Sequence, residues 1–120
     1  MKQFFLIAFF LVNSINFSQE TINYEAVSQQ LLQKIIDGKS YKDEVKLLEK
    51  STLDDLVNQL KTDEQKIAFW VNIYNAFIQI SLTENPKLYE DRGAFFSDNR
   101  VKIAGETLSF DDIEHGIIRK

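Results

Sequence analysis

One long apolar helix constrains the fold more than any other feature of this sequence. From Ile67 to Leu82 the chain carries large apolar side chains at most positions. Thr62 and Gln65 precede this run at the spacing of a capping box, and Asn85-Pro86 follows it, where a helix is expected to end. A helix that is apolar around most of its circumference has to be covered by other elements. We therefore expect it to lie at the centre of a globular domain.

A stripe of amide side chains runs along this apolar helix. At 100° per residue, Asn72, Asn75 and Gln79 fall on one face together with Gln65. The stripe could be a narrow solvent-exposed face of a mostly buried helix. It could instead be buried, with its amides bonded to the backbone of an irregular segment, since an unpaired buried amide costs about 1–3 kcal/mol. We favour the buried arrangement, in which these amides support the structure and take no part in chemistry.

Shorter helices are expected before the long one. Apolar residues at helical spacing predict a helix over Thr21–Asp37, and Gly38 is placed to end it. Residues 41–49 fit a short helix less clearly. Thr52 and Asp55 have the spacing of a capping box at the start of a further helix.

The segment after the long helix combines irregular chain with a hairpin. Residues 87–99 are predicted to be irregular. Arg100–Ile103 alternates polar and apolar residues as a strand does, and a turn at residues 104–106 would bring Thr107-Leu108 back against it. Ser109 is placed to begin a last helix. The sequence therefore predicts an α+β fold, dominated by helices, with a small two-stranded hairpin.

The N-terminal residues have the pattern of a secretory signal peptide. Lys2 precedes an apolar run over Phe4–Val12, and polar and small residues follow up to Ser18. The run is shorter than the roughly 20 apolar residues that span a bilayer. We expect a signal peptide at residues 1–18, an N-terminal helix within 19–40 and the main domain at 41–120. The mature protein would be periplasmic or extracellular, without a transmembrane segment.

Composition excludes several classes of function. The net charge of −4 and the pI of about 5.0 leave no basic footprint for nucleic-acid binding. The sequence contains no cysteine and one histidine, so thiolate metal sites and sites with two imidazoles are both excluded. No metal site is predicted, and no sequence motif indicates a cofactor.

The last helix holds the densest group of reactive side chains. Acidic residues at its start, Asp111 and Asp112, are explained by the helix dipole. His115 could simply pair with Asp111 or Arg119 at i,i+4 spacing on the surface. Glu114, in contrast, falls among apolar neighbours, so we expect partial desolvation to raise its pKa, as at acid–base sites.

Gly116 is a second unusual position in the last helix. Glycine in a helix interior costs about 1 kcal/mol relative to alanine. Either a close approach of another backbone or the end of the helix would explain it. Glu114 and His115 are therefore the candidate catalytic residues of the sequence.

Three segments carry a resemblance to a known family. The stretches Lys66–Ala76 and Val101–Arg119, with Gly93–Phe96 between them, resemble the family named "domain of unknown function 547" over roughly residues 41–120. The resemblance implies that related chains continue past the histidine-bearing helix into a second half with a cysteine. We therefore expect this domain to be incomplete, a fragment cut short at its C-terminal end.

Two functional hypotheses follow from the resemblance. In the first, the protein is a hydrolase or transferase of the Cys–His type, with His115 as the base, Glu114 orienting or tuning it, and the nucleophile outside this chain. In the second, it is a non-catalytic binding or interaction module of the cell envelope. A partner would then cover the apolar residues of the last helix, Ile113, Ile117 and Ile118.

Overall fold

The computed structural model describes residues 22–119, which form a helix-dominated α+β fold with one two-stranded hairpin. The predicted fold class is therefore confirmed. The predicted signal peptide, residues 1–18, lies outside the described residues. Within residues 22–119, none of the helices has both the length and the apolar character needed to cross a membrane.

Helix α1 spans Tyr24–Ile36, inside the range predicted for it. It begins at Asn23, whose side chain accepts a hydrogen bond from the Ala26 amide. Asp37 caps its C-terminal end, and Gly38 follows with a φ of +71° that favours glycine. The Gly38 and Lys39 amides donate back to the last turn of the helix, which closes it as a Schellman motif.

Two short helices follow. Helix α2 spans Lys42–Lys50 and helix α3 spans Leu53–Gln59. The Thr52 hydroxyl accepts a hydrogen bond from the Asp55 amide, which is half of the predicted capping box. Residues 41–49, where the sequence indicated a short helix only weakly, are therefore almost entirely helical.

Helix α4 spans Asp63–Glu84 and lies at the centre of the fold, as predicted. Its capping box is complete, because the Thr62 hydroxyl accepts from the Gln65 amide and the Gln65 side chain accepts from the Thr62 amide. Helix α1 packs along it. Three of its residues, Phe69, Ile73 and Ala76, have no exposed surface. Burial of this apolar face provides the main stabilisation of the domain.

The segment after α4 is more regular than predicted. A 3-10 helix spans Pro86–Glu90, and helix α5 spans Arg92–Ser97. The prediction of an irregular segment is wrong there for two reasons. The Asp91 side chain accepts from the Ala94 amide and so starts α5. Phe95 is fully buried, so tertiary packing stabilises a helix too short to form alone.

The predicted hairpin is confirmed. Strands β1, Asn99–Ile103, and β2, Glu106–Ser109, pair antiparallel. Ala104 and Gly105 join them with φ values of +54° and +76°, the conformation of a type I′ turn. The Ala104 amide donates to the Leu48 carbonyl and to the Ser51 hydroxyl, both at 3.2 Å, and so fixes the turn against the end of α2.

The last helix changes its geometry after one turn. Ser109 begins helix α6, Phe110–Ile113, through a second complete capping box with Asp112. A π-helical turn, Glu114–Ile118, continues it, and the Arg119 amide donates to the Glu114 carbonyl at 2.8 Å. The sequence predicted the helix and its start, but not the wider turn. The largest fully buried side chains of the core are Phe69, Phe95, Phe110, Leu31, Leu48, Ile73, Ile103 and Ile113.

Candidate functional site

The amide stripe of α4 is only partly enclosed. The Asn72 amide donates to the Ser28 hydroxyl of α1 at 3.2 Å, so Asn72 joins two helices. Asn75 and Gln79 are exposed, although Ala76 beside them is fully buried. The prediction of a buried stripe is therefore wrong at these two positions, because no described segment covers that edge of the helix. The Asn72 bond goes to a side chain, and the backbone amides that the Gln65 side chain accepts, from Lys61 and Thr62, belong to the start of α4 itself and not to a separate irregular segment.

Glu114 is held at the first position of the π-helical turn by two side chains. The Tyr74 hydroxyl, from the middle of α4, donates to Glu114 Oε1 at 2.9 Å. Arg119 Nη1 donates to Glu114 Oε2 at 3.3 Å. The Tyr74 ring packs edge-on against buried Phe110, with 5.7 Å between ring centres. The carboxylate thus has a fixed place at the surface, supported by a side chain anchored in the core.

These contacts shift the pKa values of both partners. The Tyr74 hydrogen bond lowers the pKa of Glu114, and the nearby charges of His115 and Arg119 lower it further, against the opposing effect of burial. Burial, together with the bond to Glu114, raises the pKa of Tyr74 from 10.0 to about 12. The predicted increase in the pKa of Glu114 is therefore wrong, because the hydrogen bond from the Tyr74 hydroxyl, together with the Arg119 guanidinium and with the imidazole when it is protonated, outweighs desolvation.

His115 lies beside this carboxylate but is not bonded to it. Its Nε2 atom is 4.0 Å from Glu114 Oε2, which is beyond hydrogen-bonding distance, and its side chain is 60% exposed. It faces an open cleft that it shares with Asp111, Asp112 and Gly116. Glu114 can therefore act on the imidazole through its negative charge, but among residues 22–119 no hydrogen bond orients the ring.

The π-helical turn decides how these groups are displayed. π-Helical turns are rare in proteins, and those that occur are often found at functional sites. Here the turn contains both candidate residues, Glu114 and His115, and it lets Arg119 reach back to Glu114 across five positions. The structure thus brings together the two predicted residues with Tyr74 and Arg119 in one cluster.

Sequence reasoning missed Tyr74 as a member of the site. Tyr74 lies within the apolar run of the long helix, and it is 40 positions away from Glu114. Its hydroxyl was the available signal, since a tyrosine at the edge of a buried helix usually has a hydrogen-bond partner. Arg119 was considered only as an i,i+4 partner of His115, whereas the wider turn directs it to Glu114.

Gly116 is not explained by a close approach of another segment. A Cβ atom added at Gly116 would meet nothing within 4 Å among the described residues. The first of the two explanations offered for this glycine is therefore wrong within residues 22–119.

We expect Gly116→Ala to raise the free energy of unfolding by about 0.5–1 kcal/mol, because alanine restricts the unfolded chain and meets no obstacle in the fold. Gly38→Ala is the matched comparison, since it also adds a methyl group in open space but at a φ of +71°. It should lower stability by about 1–2 kcal/mol. Urea denaturation followed by circular dichroism measures both. A loss of stability in Gly116→Ala would contradict this account of the turn.

An apolar groove adjoins the π-helical turn. It lies between the first half of α4 and the end of the turn, and its volume is about 560 Å³. Ile67, which is 50% exposed, and Trp70 form one side, and Ile117 and Ile118 form the other. Ile113 is fully buried, so the expectation that a partner would cover it is wrong. Large apolar side chains are thus concentrated at one accessible place beside the cluster.

The described residues do not assemble a metal site. Within residues 22–119, no group of three His, Asp or Glu side chains could hold a metal ion together. Asp112 and Glu114 bind different partners, the Ser109 amide and the Tyr74 hydroxyl, as expected for neighbours that point in different directions on one helix.

The comparison with known proteins gives one finding. The family model described as "Protein of unknown function, DUF547" matches residues 57–120, which include the segments Lys66–Ala76 and Val101–Arg119. No curated protein and no solved structure matches the chain. The matched range begins within α3, so α1 and α2 lie outside it.

Proposed function

Because the chain belongs to the DUF547 family of proteins of unknown function, we propose its activity from the site itself: His115 is the base of a Cys–His-type hydrolase or transferase. The observation that supports this is the position of an exposed imidazole 4.0 Å from a carboxylate that Tyr74 holds in place. The sequence contains no cysteine, so the nucleophile in this proposal lies outside these 120 residues.

The chemistry needs an accessible base with a stable negative charge nearby. In this proposal, His115 takes the proton of the thiol, and the resulting thiolate attacks the carbonyl carbon of the substrate. The imidazolium then returns the proton to the leaving group. Glu114, whose pKa is lowered, is ionised at neutral pH and favours the positive charge that His115 acquires in the first step.

Thiol alkylation tests this proposal before any substrate is known. The DNA after the codon for Lys120 is read first, and the whole reading frame is expressed. A thiol paired with His115 should react with iodoacetamide near pH 6 at least roughly tenfold faster than a free cysteine, whose pKa is about 8.5. His115→Ala should abolish this acceleration. Glu114→Gln should reduce it by a smaller factor, because it removes the charge and keeps the size.

Lys102→Ala is the control variant, since Lys102 is exposed on β1 and makes none of the contacts described for the cluster. It should react as the wild type does. The proposal fails if the reading frame contains no cysteine, or if the His115→Ala protein is alkylated as fast as the wild type at acidic pH.

A binding role is the second candidate, and the apolar groove favours it. In this alternative the protein is an interaction module of the cell envelope, and an apolar segment of a partner covers Ile67, Trp70 and Ile117. Trp70 is the single tryptophan of the sequence, so its fluorescence reports on that groove. Binding of a partner should shift the Trp70 emission to shorter wavelength, and Ile117→Asp should prevent the shift while His115→Ala should not.

We also propose that the protein is exported. The support is the pattern of Lys2, the apolar run Phe4–Val12 and the polar exit up to Ser18. When the chain is produced in a bacterium with a periplasm, the mature protein should be recovered there with Gln19 as its first residue. Recovery of an intact chain beginning at Met1 in the cytoplasm would contradict this proposal.

A further inference from the structure

A cleft between α2 and the C-terminal half of α4 lies apart from the His115 cluster. Val45, Phe77 and Ile80 provide its apolar lining, and its volume is about 410 Å³. Ligand sites are typically concave and mostly apolar, with volumes of roughly 300–1,000 Å³. The cleft therefore has the size and the lining of a site for one small molecule.

Two lysines of one helix line this cleft. Lys42 and Lys46 lie one turn apart on α2, which places them on the same face. The ion pairs found among residues 22–119 involve other cations, such as Lys34 with Glu44, and neither of these lysines. Like charges at this spacing repel each other, so an anion between them would be stabilising.

Arg100 lines the same cleft, and some of its N–H donors make no hydrogen bond to residues 22–119. It is the extra residue of a β-bulge, because the register of the hairpin shifts between Asn99 and Val101. Its Nε atom donates to the Phe95 carbonyl at 3.0 Å, and its Nη2 atom donates to Asp98 at 3.2 Å. A guanidinium group has five N–H donors, so three remain after these two bonds.

Two hydroxyl-bearing residues, Tyr41 and Ser81, also line the cleft, and two acidic residues, Glu49 and Glu84, complete its lining. The charged lining is thus three cations and two carboxylates. The apolar surface is shared by α2 and α4, whereas two of the cations are concentrated on α2. A ligand that fits has an apolar body for the lining and one negative group for the lysines.

We propose that this cleft binds a small amphipathic carboxylate. Its apolar part lies against Val45, Phe77 and Ile80, and its carboxylate pairs with Lys42 and Lys46. This site does not depend on the proposed role of His115. A charge-assisted hydrogen bond from an ammonium group to a carboxylate is roughly twice as strong as a neutral one, so the lysines decide which ligands are accepted.

Octanoate is the probe for this site, and backbone amide NMR of the full chain is the measurement. Adding octanoate should give saturable shifts at Val45, Ser81 and Arg100. Octylammonium, with the same chain length and the opposite charge, should give none. The double reversal Lys42→Glu with Lys46→Glu should weaken octanoate binding by roughly tenfold or more, because both cations become anions.

The matched control reverses two exposed lysines at the N-terminal end of α4, Lys61→Glu with Lys66→Glu, and keeps the same net charge change. Its octanoate affinity should stay within about twofold of the wild type. Ser81→Phe is a second test, since its ring occupies the cleft and should prevent binding. Three results would overturn the proposal: shifts centred on Ile67 and Trp70, equal binding of octylammonium, or shifts in this cleft that depend on protein concentration without octanoate.

Discussion

Replacing Phe110 by alanine is expected to lower the free energy of unfolding by about 3–5 kcal/mol. Phe110 has no exposed surface, and its ring lies 5.2 Å from that of Phe95 and 5.7 Å from that of Tyr74. Its removal leaves a cavity between α4, α5 and α6, and the Tyr74 ring loses the aromatic side chain against which it packs. A domain of this size is typically stable by only about 5–15 kcal/mol, so the variant should be close to unfolded at 37 °C.

Urea denaturation at 25 °C, followed by circular dichroism, measures this effect. Phe96→Ala is the control, because Phe96 belongs to the same aromatic group but is only partly buried, at 6.2 Å from Phe110. Phe96→Ala should lower the free energy of unfolding clearly less than Phe110→Ala does, since part of the Phe96 side chain is already exposed to water. Equal losses in the two variants, or a loss below about 1 kcal/mol for Phe110→Ala, would show that the core is not packed as described.

Replacing Tyr74 by phenylalanine should move the pKa of Glu114 back towards its ordinary value. The Tyr74 hydroxyl is the largest cause of the lowered pKa of that carboxyl. Because folding lowers this pKa, the pair stabilises the protein above the ordinary value of 4.5, and the stabilisation is lost as the pH falls through the lower, folded value. Carbon-13 NMR of the Glu114 carboxyl group measures the change directly.

The same variant should change the alkaline side of the stability profile. Folding raises the pKa of Tyr74 from 10.0 to about 12. Burial of the neutral phenol, together with its bond to Glu114, therefore gives a contribution to stability that is present in full below pH 10 and is lost as the pH rises through about 12. The Tyr74→Phe protein should lack this loss of stability at alkaline pH, because phenylalanine does not ionise. Tyr41→Phe is the control and should keep the wild-type pKa of Glu114.

The boundaries of the helices could be read from the sequence where a local signal fixes them. Thr62 with Gln65 and Ser109 with Asp112 act within one helical turn, and Gly38 ends α1 through its own backbone conformation. Helix α5 was missed because its stability comes mainly from the burial of Phe95, which depends on segments distant in the chain. Local signals thus predicted where helices begin and end, but not which short segments become helical by packing.

The candidate site was predictable in its residue types but not in its contacts. Glu114 and His115 were identified, yet a helical wheel with 3.6 residues per turn cannot show a π-helical turn. For the same reason the partner of Arg119 was misassigned. The exposure of Asn75 and Gln79 depends on which faces of α4 the neighbouring segments cover, and the spacing of the amides carries no information about that.

The two hydrogen bonds of the Ala104 amide allow one residue to report on cooperativity within the domain. Leu48 and Ser51, its acceptors, precede the range matched by the family, whereas the hairpin lies inside it. In native-state hydrogen exchange, this amide opens only when the hairpin turn separates from the end of α2. If it exchanges as slowly as the amides in the middle of α4, the first helices and the family-matched residues unfold as one unit. If it exchanges much faster, they form two separate foldons.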